Sequence, residues 1–193
     1  MPVIRQFIVK VISIILLSSA FYVHAQEEQN EVVFSTNKGE IVILLHPEAA
    51  PLSVANFKQY VADGFYDGTI FHRTIPGFMI QGGGFDVNLA RKPVNAPIQN
   101  EANNGLKNAV GTISMARTSK PHSATSQFFI NVNDNRALDY REASLQGWGY
   151  AVFGKVTTGL EIVMAVSRQQ TKVKGGHQNV PVDAVVIEKA ILR

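Results

Sequence analysis

The chain of 193 residues contains no cysteine. Disulfides, zinc–thiolate centres and thiol nucleophiles are therefore excluded, and export into an oxidising space would carry no risk of mispairing. Histidine is sparse: His24, His46, His72, His122 and His177 are scattered, and none forms the H-x-x-x-H spacing of a metal site. No G-x-S-x-G elbow presents a serine nucleophile. The stretch "QGGGF" at Gln81–Phe85 lacks the lysine and helix start of a phosphate loop. Neither a metal nor a cofactor is expected. Blocks of Lys and Arg are also missing, which removes the usual track for nucleic acid.

Acid is absent from the first 25 residues, which carry Arg5 and Lys10. The chain as a whole holds 18 basic and 15 acidic side chains, so without those two the body has 16 against 15 and is nearly neutral. The basic start is followed by an apolar run from Val11 to Val23, short for a ~30 Å hydrocarbon core. Val23 and Ala25 then stand at the −3 and −1 positions of a cleavage site, ahead of polar "QEEQNE". This pattern predicts a cleavable signal peptide over 1–25 and a single mature domain over 26–193. The expected location is the periplasm, with no stable membrane association after cleavage. A monomer is expected.

The body is built from short apolar runs. Val32–Phe34 and Ile41–Leu45 flank Asn37-Lys38-Gly39, a hairpin signal. "APLSVANFKQYVADGF" predicts a helix, with Pro51 in its first turn, Val54, Phe57 and Val61 on one face, and Gly64 as its stop. "TIFHR", "FMIQGG", "GTISMA", "SQFFINV" and "YAVFGKV" are strand-like. Between them run Asn-, Gly- and Pro-rich segments, chiefly Val87–Val110 and Asn133–Gly149. A second helix fits "TGLEIVMAVSRQ", with Leu160, Val163 and Val166 inward. A last strand fits Val185, Ile187 and Ile191. Many short strands with two helices point to a closed, mainly antiparallel barrel with helical caps. Periodicity alone does not separate a barrel from a sandwich.

The stretch "FHRTIPGFMIQGGGF", Phe71 to Phe85, is the most unusual in the chain. It offers a permanent cation and an amide among apolar residues, without Cys, Ser, Asp or Glu. In a continuous strand His72 and Arg73 face opposite ways, and Phe71 shares the face of Arg73. By the same alternation Met79 and Gln81 pair against Phe78 and Ile80, unless Pro76-Gly77 re-aims the chain. In "SQFFIN", Gln127 and Phe129 share one face, Phe128 and Ile130 the other. A purely structural alternative stands beside this: Phe78, Met79, Phe128 and Phe129 all in the core, with Arg73 snorkelling at an edge.

"FHRTIPGFMIQGGGF" closely resembles the signature of the cyclophilin-type peptidyl-prolyl cis-trans isomerases. "GTISMART", "SQFFINV" and "YAVFGKV" resemble three further family segments, in the family's order, and the likeness extends from about Val32 to Leu192. Together with the signal peptide, "SATSQFFINV" looks most like the bacterial periplasmic branch. The resemblance implies a mainly β fold, a closed eight-stranded antiparallel β-barrel capped by two α-helices. It implies a shallow outer groove that binds Xaa-Pro segments, here of exported proteins, and speeds their isomerisation and folding. It places catalysis on Arg73, the proline-ring pocket on Phe78, Met79, Phe129 and Leu138, and a backbone-holding amide on Gln81. Ala116, Gln127 and Tyr150 fall at other groove positions. Ala137 stands where many eukaryotic members carry Trp, and Tyr150 where many carry His. The segment between Arg117 and Thr125 differs from the loop of that branch, and no role is assigned within it. A proline-peptide binding module or holdase, using the same groove with little turnover, is the alternative function.

Overall fold

The structure is a computed structural model, and it describes residues 29–193. The expected signal peptide at 1–25 lies outside the described residues. Strands β1 (Glu31–Thr36) and β2 (Gly39–Leu45) form the anticipated hairpin across Asn37-Lys38. Helix α1 (Pro51–Ala62) follows, with Pro51 in the first turn and Val54, Phe57 and Val61 buried as their spacing requires. Its N-terminus is capped from afar: the Glu101 carboxylate accepts from the amides of Leu52 (2.9 Å) and Ser53 (2.7 Å). A carboxylate there satisfies two orphan donors and faces the positive end of the helix dipole.

The remaining strands are β3 (Thr69–Ile70), β4 (Arg73–Ile75), β5 (Met79–Gly82), β6 (Thr112–Met115), β7 (Phe128–Asn131), β8 (Val152–Thr158), β9 (Thr171–Lys174), β10 (His177–Pro181) and β11 (Val186–Leu192). Helix α2 (Leu160–Ser167) lies between β8 and β9, with Val163 and Val166 buried. Nine strands form one antiparallel sheet in the order β3-β11-β1-β2-β8-β6-β7-β5-β4. No described helix is long and apolar enough to cross a membrane.

Two sequence expectations change, and one element is added. The sheet pairs nine strands in a single order, where eight were expected. "TIFHR" supplies two strands, because the chain changes partners midway: β3 pairs with β11, β4 with β5, and the Phe71 amide donates to Val185 O at 2.9 Å. The alternation is interrupted there, so Phe71 is fully buried in the core and does not share the outer face of Arg73. Finally, β9 and β10 form a separate hairpin that sequence reading missed. Gly175-Gly176, set between "TKVK" and "HQNVP", was the available signal.

The core is densely aromatic. Phe34, Phe57, Tyr66 and Phe128 pack in mutual ring contacts of 5.1–6.0 Å between centroids. Such edge-to-face and offset pairs add to the burial of the rings themselves. Tyr66 keeps its hydroxyl satisfied by donating to Ser126 O at 2.9 Å, and burial raises its pKa well above the usual tyrosine value.

Candidate functional site

Register explains how the site assembles. Arg73 lies directly opposite Gln81, and Gln81 opposite Phe129. Directly opposed residues on neighbouring strands project from one face. The next rung, Thr74–Ile80–Ile130–Ile113, projects to the other face and is fully buried. The alternation expected for "SQFFIN" holds: Phe128 and Ile130 enter the core cluster, while Phe129 and Gln127 do not.

The outer face opens on a groove of about 240 Å³. Arg73 and Gln81 form one side, and Phe78, Met79, Phe129 and Leu138 an apolar floor and wall. Ala116 and Tyr150 also line it, the Tyr150 ring set edge-on to Phe129 at 5.6 Å. Phe78 joins Met79 although strand parity would oppose them, because the turn at Pro76-Gly77 precedes β5. Thus the structure brings together eight of the residues singled out from sequence. The ninth, Gln127, lines the neighbouring hollows and touches the groove only through Gln81, whose Nε2 donates to its Oε1 at 2.9 Å.

Arg73 is half-buried, and its Nη1 makes one long contact to Gln81 Oε1 at 3.4 Å. Among the described residues, Lys189–Asp67 and Arg193–Glu31 are the ion pairs, and neither touches the groove. The guanidinium of Arg73 is thus left with donors for a bound molecule. His72, its neighbour in sequence, is sealed instead. It is buried against Phe85 at 4.7 Å, with His177 beyond, and its Nδ1 has no hydrogen-bond partner. Burial first, then His177 and Arg73, lower its pKa from 6.5 to about 4, so the ring is neutral at working pH.

Two features escaped sequence reading. Arg117 lines the groove and lies 4.6 Å over the Tyr150 ring, while its Nε donates to Gly149 O at 2.8 Å. Its neighbourhood in an irregular loop gave no periodic signal. The second is a buried amide network beneath the groove. Asn108 Nδ2 donates to Leu138 O (3.2 Å) and Tyr150 O (3.3 Å), and Asn135 Nδ2 to Phe78 O (2.8 Å). Asn131 joins them, accepting from Asn135 at 2.7 Å, and Ser114 Oγ donates to Asn108 Oδ1 at 2.8 Å. Three groove residues are therefore held by their backbones, and the network has its polar atoms matched, as burial demands. Gly149 belongs to the same arrangement: its φ is +64°, and a Cβ there would lie 2.6 Å from Leu138 O.

Residues 31–191 match the family model described as cyclophilin type peptidyl-prolyl cis-trans isomerase/CLD. The chain belongs to the cyclophilin family. Peptidyl-prolyl cis-trans isomerase A of Dickeya dadantii is 51% identical over 183 residues, covering 95% of this chain and 93% of the relative. Peptidyl-prolyl cis-trans isomerase B of Escherichia coli is 54% identical over 157 residues, covering 81% and 96%. Among solved structures, a Cryptosporidium parvum cyclophilin determined in the presence of the dipeptide Ala-Pro superposes with a TM-score of 0.68. It is 28% identical, and the match covers 84% of this chain and 98% of that one. This cyclophilin is a peptidyl-prolyl cis-trans isomerase, and its fold is mainly β, antiparallel, with two helices.

Proposed function

We propose that the groove is the isomerase active site and that Arg73 is its catalytic residue. The supporting observation is an arginine with no carboxylate partner among the described residues, opening onto the same groove as an apolar floor. Rotation about the peptide C–N bond faces ~18–20 kcal/mol, because resonance gives that bond double-bond character. No bond is made or broken, so the reaction needs no nucleophile. Midway through the twist resonance is lost, and the prolyl nitrogen gains a lone pair that neither planar isomer has. A donor aimed at that nitrogen binds the transition state better than the ground states, which is what lowers a barrier. Arginine suits the task, since its planar fork keeps its charge and its donors at any working pH.

In this reading Phe78, Met79, Phe129 and Leu138 hold the proline ring still while the other half of the bond turns. Gln81 aligns Arg73 and holds substrate backbone, with Gln127 steadying Gln81 from outside. Ala116 and Tyr150 shape the remaining wall. A positioned donor contributes about 3–4 kcal/mol in comparable oxyanion sites, and a thousandfold acceleration needs about 4 kcal/mol. The substrates are unfolded or loop Xaa-Pro segments of exported proteins, and the cellular role is to speed their folding. The working molecule is a periplasmic monomer of one domain, residues 26–193, after loss of a leader at 1–25. Its sheet works as a closed barrel, supported by the fact that the two end strands, β3 and β4, are consecutive in the chain.

The test is isomerisation of a short Xaa-Pro peptide by wild type and by Arg73→Ala. Loss of at least about 10² in kcat/KM, some 2.7 kcal/mol, with the fold intact is expected. Full activity in a folded variant would refute the role. Undiminished peptide binding with negligible wild-type turnover would favour the holdase.

A further inference from the structure

Two more hollows adjoin the groove, and arginine connects all three. One, of about 410 Å³, is lined by Arg73 and Arg91 together with Gln81, Gln127 and His177. The other, of about 230 Å³, is lined by Arg91 and Arg117, again with Gln81 and Gln127. The groove itself holds Arg73 and Arg117. Each arginine is thus shared by two hollows, around the central Gln81–Gln127 pair. No Asp or Glu lines any of the three.

The nearest acids in sequence are engaged by backbone amides and do not line the hollows. Asp86, beside Phe85, accepts from the amides of Asn88 (2.9 Å) and Ala90 (2.8 Å). Asp139, beside Leu138, accepts from the Asn108 amide at 2.8 Å. None of the three arginines forms an ion pair among the described residues. Arg117 spends Nε and Nη1 on the carbonyls of Gly149 and Thr118, which fixes its plane while leaving Nη2 free. The body of the chain is nearly neutral, so three cations without an acid at one place do not follow from general basicity.

A peptide with its proline in the groove runs on in extended form at about 3.3 Å per residue. Side chains within roughly three residues of the proline therefore reach the adjoining hollows. We propose that this cyclophilin selects Xaa-Pro segments carrying Asp or Glu close to the proline, with Arg91 and Arg117 as specificity-determining residues. The inference rests on the groove being the substrate site. Planar guanidinium forks match carboxylates in geometry as well as charge. The gain falls mainly on encounter and KM, because charges at a solvated rim steer a substrate more than they hold it.

The experiment uses peptides with an Ala-Pro centre and one Glu, Gln or Lys placed in turn at each of three positions on either side. Isomerisation is followed by NMR exchange, and binding by chemical-shift titration of the same samples. At the best position kcat/KM for Glu exceeds that for Lys about fivefold or more at low salt. The ratio shrinks towards unity at about 0.5 M NaCl, where the Debye length is only a few ångströms. Arg91→Glu or Arg117→Glu lowers or inverts it; being a ratio, it is insensitive to partial unfolding. A Glu/Lys ratio at or below one at every position would overturn the proposal. So would a ratio indifferent to salt and to both variants, or a single-stranded oligonucleotide binding more tightly than any peptide. The two readings fail separately. Selective binding of Glu peptides without turnover would sink the active-site assignment and leave charge selection standing. Normal turnover of Gln peptides with no charge preference would do the reverse.

Discussion

Two adjacent rungs of one ladder, Arg73–Gln81–Phe129 and Thr74–Ile80–Ile130, lie a single residue apart and face opposite worlds. The inner rung is fully buried and feeds the core. The outer rung grades from a half-exposed cation through an amide to a nearly buried ring. A sheet lets stability and chemistry be written on alternate letters of the same strands, so that either can be altered with little cost to the other. His72 and Arg73 repeat the contrast in miniature: the titratable group is sealed and the permanent cation is open.

Ile130→Ala tests the inner rung hardest. It should cost about 2–5 kcal/mol in urea unfolding, with kcat/KM per folded molecule within about threefold of wild type. That is the mirror image of Arg73→Ala, and a large activity loss in the folded Ile130 variant would break the separation. Acid comes next. His72 has a folded pKa near 4 against 6.5 unfolded, so below pH 6.5 the unfolded state takes up the proton first. Stability is complete above pH 6.5, falls as pH drops towards 4, and levels off below, by up to about 3 kcal/mol. Denaturation midpoints at a series of pH values should show this slope, and His72→Phe should flatten it.

Gln81→Ala should lower kcat/KM about five- to tenfold, the value of one neutral hydrogen bond. The loss should fall mainly on kcat if Gln81 aligns Arg73; a loss confined to KM would reduce it to a substrate contact. The smallest expected effect is none at all. With no group titrating near neutrality in the groove, kcat/KM should stay flat from about pH 6 to 9. A bell-shaped profile would require a titrating group in the reaction and sink the arginine-only mechanism.

Local alternation carried most of what the sequence disclosed. Gln127/Phe129 against Phe128/Ile130, the β1–β2 hairpin and the faces of both helices needed only neighbouring residues, and they held. The groove composition required the family motifs as well. What stayed hidden depended on distant partners. The break at Phe71 arises because β11 and β5 claim successive parts of one run. The amide network joins Asn108, Asn131 and Asn135 to Leu138, Tyr150 and Phe78, and asparagine in a loop looks the same whether it turns a chain or pins one. Arg117 was similarly invisible, since its plane is set by Gly149, 32 residues away.

The placement of β11 has a consequence in time. It lies between β3 and β1, pairing Val33 with Ile191, and Arg193 meets Glu31 across 162 residues at 2.9 Å. As the chain is made, β1 can find β2 early, but its other edge waits for β11, the last of the sheet's strands in chain order. Long-range pairing of this kind is slow and leaves strand edges unprotected meanwhile. The sheet is therefore complete only once β11 has been made, and until then β1 keeps one edge unpaired.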